Sequence, residues 1–147
     1  MSTYKNILVA IDLTDSAELV LRKAHELVLS NQTTMTVIHA IDYIPYMGFG
    51  ETALITPTYT IPNEELINNA KQPIEALLKK LDLENIQVLY EFGNAANEIV
   101  QYADDNGVDL IVLGSHGRHG VKLLLGSTAN AVLHHASCDV LAVRVKE

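Results

Sequence analysis

The chain has 147 residues, 48% of them hydrophobic, with 10 Lys and Arg against 18 Asp and Glu, a net charge of −8. That length suits one domain with a full core over 1–147, and the acidic balance argues against a nucleic-acid partner, which needs clustered cations. No apolar stretch has the length of a membrane span, the N-terminus runs into a strand with no signal peptide pattern, and a single cysteine, Cys138, excludes an internal disulfide and fits a reducing cytoplasm.

The unbroken apolar run 7–11 reads as a strand covered on both faces. Thr14, Asp15 and Ser16 offer N-cap side chains to a helix whose stripe is Val20, Leu21, Ala24, Leu27 and Val28. A second strand at 35–41 completes a βαβ unit. Residues 45–62, with three prolines and two glycines, read as a long surface excursion whose Tyr46, Phe49 and Tyr59 either pack on the domain or cover a ligand. Leu66, Ile67, Ala70, Ile74, Leu77, Leu78 and Leu81 mark the next helix, which Pro73 should kink or split. A strand at 87–92 follows, then a helix with Ala96, Ile99, Val100 and Ala103 that ends at Asn106-Gly107. The last two strands fall at 110–113 and 140–145, with a helix through Ala129, Val132, Leu133 and Ala136 between them. Five strands alternating with four helices predict the α/β class: a doubly wound, three-layer, Rossmann-like parallel sheet with helices on both faces. Ligands of such sheets bind beyond the carboxyl ends of the strands, where the strand order reverses. Here those ends are Asp12, residues 40–42 and residues 114–117.

The segment 114–128, GSHGRHGVKLLLGST, is the strongest functional signal. It leaves a strand, is rich in glycine, and delivers Ser127 and Thr128 to a helix start. Glycines let backbone N–H groups approach an anion, and the helix N-terminus adds unpaired donors and partial positive charge. In an acidic chain, residues 114–138 contain no Asp or Glu, yet hold Arg118, Lys122 and four histidines. The Walker A loop, the GxGxxG fingerprint after the first strand, the GxSxG elbow and HExxH are all absent from the sequence. Asp12 has two readings: a cap for local N–H groups, or a carboxylate that accepts from a sugar hydroxyl or base amine. His116 and His119 read as loop residues or phosphate donors rather than metal ligands, since a third ligand is not evident. His39 reads as half-buried and hydrogen-bonded, His25 as a surface residue, and Cys138 as a buried small side chain. No catalytic residue can be assigned from spacing.

ILVAID at 7–12, VDLIVLGSHG at 108–117, LLLGSTANAV at 123–132 and CDVLAV at 138–143 together resemble the universal stress protein family across nearly the whole chain. The resemblance implies a stress-response protein with a five-stranded parallel sheet, homodimeric through its last strand. In many members it also implies binding of ATP, with Mg2+ accompanying the phosphates. Carried over, Ala10, Ile11 and Asp12 would meet adenine and ribose, and Ala40 the adenine. Leu113, Gly114 and Gly117 would line ribose and phosphates, and Gly126, Ser127 and Thr128 would hold the phosphates. Hydrolysis, if any, would be slow, because no base or arginine finger is in evidence. Two departures stand against this. Eight residues separate Gly117 from Gly126, one fewer than in the ATP-binding pattern, which removes roughly 3.5 Å of reach. Leu13-Thr14 also follows Asp12, where ATP binders often carry Gly-Ser. The alternative is therefore a nucleotide-free dimer acting through protein partners.

Overall fold

A computed structural model describes residues 4–28, 31–41, 63–115 and 125–145. Its elements are β1 (Asn6–Ala10), α1 (Ser16–Glu26), β2 (Thr34–Ile41), α2 (Asn63–Lys80), β3 (Gln87–Phe92), α3 (Ala95–Asp105), β4 (Leu110–Gly114), α4 (Ser127–His135) and β5 (Asp139–Val143). The five strands form one parallel sheet in the order β3-β2-β1-β4-β5. Each right-handed crossover drops its helix on a face set by the direction of travel. The chain moves outward from β1 to β3, then jumps back across β1 to β4 and β5, so the first two helices and the last two take opposite faces.

The core is accordingly double. Ile7, Val9, Val37 and Val112 meet Val20, Leu21, Ile74 and Leu78 of α1 and α2 on one face. Leu8, Ile38 and Ile111 meet Ile99, Ala103, Ala129 and Val132 of α3 and α4 on the other. Strands covered on both faces have no solvent side, which is why β1 and β4 read as continuous apolar runs. Truncating Leu8 or Ile111, both fully buried, to alanine would cost about 2–5 kcal/mol by this burial.

Three local expectations are revised. Pro73 does not split α2, which runs unbroken through it. The proline and Asn69, whose carbonyl loses its i+4 donor, are both exposed, so water can replace that bond. At α1 the N-cap is Asp15, but its side chain makes no capping bond; the carboxylate that organises this turn belongs to Asp12. The last strand ends at Val143, not at residue 145, because the Val145 N–H turns from the ladder to the Ser115 hydroxyl at 3.2 Å. At the end of α3, by contrast, Gly107 adopts φ +65°, and the Val108 N–H reaches back to the Ala103 carbonyl at 3.1 Å. That is the six-to-one closure a left-handed glycine permits. The excursion at 45–62 lies outside the described residues.

Candidate functional site

Strand order reverses between β1 and β4, which pair in register from Ile7↔Leu110 to Val9↔Val112. Beyond that register β1 leads to α1 on one face and β4 leads toward α4 on the other, which opens a crevice at their carboxyl ends. Of the sequence-predicted residues, Ala10, Ile11, Asp12, Leu113 and Gly114 stand at this divergence, and Ala40 lies near the end of the neighbouring β2. Gly126, Ser127 and Thr128 open α4, and the Gly126 N–H donates to the Ser115 carbonyl at 2.6 Å. That bond returns the chain to the end of β4 and sets the α4 N-terminus beside the crevice. Gly117 lies outside the described residues, as do His116, Arg118, His119 and Lys122.

The residues contribute differently. Ile11 and Leu113 are 6% and 3% exposed, each locked into one of the two cores, so they offer the crevice backbone rather than side chain. Ala10, Asp12, Ala40, Gly114, Gly126 and Thr128 are half-buried, and Ser127 is exposed. Gly126 is the N-cap of α4 in extended geometry (φ −61°, ψ 154°), with no side-chain capping bond. Among the described residues no side chain caps this first turn, which leaves its N–H donors for an external acceptor. Asp12 Oδ1 accepts from the Thr14 N–H at 3.0 Å and from the Thr14 hydroxyl, which also lies 2.6 Å from Ser16 Oγ. Its Oδ2 has no hydrogen-bond partner among the described residues. Asp12 thus performs the local capping role with Oδ1 and leaves Oδ2 without a partner among the described residues.

Two contributors were not legible as such. His39, 8% exposed, places Nδ1 2.9 Å from the Ile11 carbonyl; the sequence reads it as half-buried and hydrogen-bonded, whereas it is buried, and its partner was not foreseen. Ser115, 7% exposed, ties three segments: its N–H donates to the Val143 carbonyl at 2.8 Å, its carbonyl accepts from Gly126, and its hydroxyl accepts from Val145. A serine just after a strand is the only sequence hint of that role. His134 and His135 are exposed on α4, and no cluster of three metal-ligating side chains occurs among the described residues. Also among these, no helix is long and apolar enough to cross a membrane.

The arrangement has close parallels. The family model described as "Universal stress protein family" matches residues 3–144. Universal stress protein A homolog 2 of Coxiella burnetii is 40% identical, with 99% of each chain covered. Among solved structures, hypothetical protein MJ0577 superposes with TM-score 0.77 at 29% identity, covering 98% of both chains. A universal stress protein solved in complex with cAMP shares the fold at TM-score 0.65 and 20% identity, over 99% of both chains. The chain belongs to the universal stress protein family.

Proposed function

We propose that residues 1–147 form a single universal stress protein domain that binds ATP as a regulatory ligand, with little or no hydrolysis, in the cytoplasm. The carrying observation is the uncapped N-terminus of α4, held to the end of β4 by the Gly126–Ser115 bond. Phosphates would take the first-turn N–H donors of Ser127 and Thr128, with Gly126, whose own N–H is held by Ser115, admitting them closely for want of a side chain, together with Gly117 and backbone at Leu113 and Gly114. Asp12 Oδ2, without a partner among the described residues, suits a ribose hydroxyl, with Ala10, Ile11 and Ala40 against the base. The cAMP complex of a relative with the same fold supports an adenine nucleotide as the ligand class. Mg2+ would be held by phosphates and water, since it retains several waters and uses few protein ligands. Phosphoryl transfer needs a positioned base or cation; among the described residues none is assigned to that role, and we read the domain as a sensor.

A ligand bound only by the native state raises the unfolding temperature by mass action. Thermal unfolding with millimolar ATP and Mg2+ is therefore expected to shift upward, and an unchanged midpoint would count against the reading. One feature favours the competing nucleotide-free dimer that acts through protein partners: Leu13, 46% exposed, stands directly after Asp12. Replacing Leu13 with glycine separates the two. If leucine blocks the crevice, only the variant responds to ATP.

A further inference from the structure

His39 is buried on the face of β2 that also carries Met35 and Val37, the face packed by α1 and α2. An apolar side chain would fill that space without the cost of burying an imidazole. What the ring adds is a hydrogen bond. The β1–β2 ladder makes its last rung with the Ile11 N–H on the Ile38 carbonyl at 3.1 Å, and the Ile11 carbonyl is then met by His39 Nδ1 at 2.9 Å. A carbonyl only accepts, so Nδ1 carries the proton.

We infer that His39 is a positioning residue for the ligand crevice, acting through the Ile11–Asp12 peptide; its ligand arm rests on the nucleotide reading above. The peptide is planar and trans, so fixing its carbonyl fixes the opposed Asp12 N–H. With the carbonyl drawn toward β2, that N–H points to the other side of β1, where β4 lies and the crevice opens. The same restraint sets where Asp12 projects its carboxylate, and so which oxygen Thr14 engages. His39 thereby presents a donor and an acceptor to a ligand it does not touch.

The test uses His39→Phe, which keeps a ring without the donor, and His39→Asn, whose amide nitrogen can stand in for Nδ1. In the ligand-free protein, amide NMR shifts and exchange protection of Asp12, Leu13 and Thr14 are expected to change in His39→Phe and to stay near wild type in His39→Asn. Calorimetric ATP affinity should fall about tenfold or more in His39→Phe, the loss of roughly one well-placed hydrogen bond, and recover in His39→Asn. Unfolding midpoints control for packing, which both variants disturb. Unchanged Asp12–Thr14 amides in His39→Phe would overturn the inference, as would equal ATP affinity of the two variants. If the wild type binds no ATP while the amides move as described, the nucleotide reading fails and the positioning of Asp12 by His39 stands.

Discussion

At the residue scale, Gly126 is the most telling position. Its φ of −61° is open to any residue, so backbone conformation does not explain a glycine there. What it provides is an N-cap without a side chain; a capping oxygen there would occupy the donors that the proposed nucleotide site uses for phosphate. Gly126→Asp is therefore expected to hold or raise stability by a few tenths of a kcal/mol through capping while abolishing ATP binding; calorimetry and urea unfolding on one sample check both halves. Cys138 lies in a different environment. Burial first, then the carboxylates of Asp104, Asp139 and Asp109, push its thiol above the ordinary range. The thiolate is the reactive form, so alkylation of native Cys138 at pH 8 should run well below that of a free thiol and accelerate on unfolding. The sequence exposed Asp12 as a strand-end carboxylate, because position in a parallel sheet suffices for that. It did not reveal His39 as the partner of Ile11, since a bond between residues 28 apart leaves no periodic trace.

At the element scale, the strands and helices were legible because each is covered on a face or stripe that its apolar spacing records. The α3 C-terminus was legible for a different reason: Asn106-Gly107 is local chemistry, complete within a few residues. Element ends set by distant partners were not. The departure of the chain from β5 depends on Ser115, 30 residues earlier in sequence, and the turn before α1 depends on Asp12 rather than on the N-cap residue. Gly93, between β3 and α3, shows a further local requirement. It sits at φ +138°, and a Cβ there would meet Glu98 Oε1 at 2.8 Å. The flexible Glu98 tip can move, so backbone strain dominates. Gly93→Ala should lower stability by about 1–3 kcal/mol, read as a reduced urea midpoint with unchanged slope.

At the scale of the whole molecule, the doubly wound sheet foreseen from strand-helix alternation puts β5 at an open edge. The composite character of the crevice was legible only in outline, because three separated segments make it and the central part of the glycine segment lies outside the described residues. The β5 edge motivates a homodimer in which two copies pair antiparallel. Val143 is 6% exposed within the core, so its replacement would test folding rather than assembly; Leu141, 39% exposed, is the informative site. Light scattering at micromolar concentration should give twice 16.1 kDa for wild type and a monomer mass for Leu141→Lys. A monomeric wild type, or a dimer that survives the substitution, would exclude this interface. Nucleotide binding itself is decided by isothermal titration of ATP with Mg2+ into wild type, Ser127→Ala and Gly126→Val. The expected result is saturable heat for wild type, a loss of about 1 kcal/mol for Ser127→Ala, which removes one hydrogen bond, and no binding for Gly126→Val, whose branched Cβ intrudes where backbone meets phosphate. Absence of heat with wild type, or equal affinity in Gly126→Val, would contradict an ATP site at the head of α4.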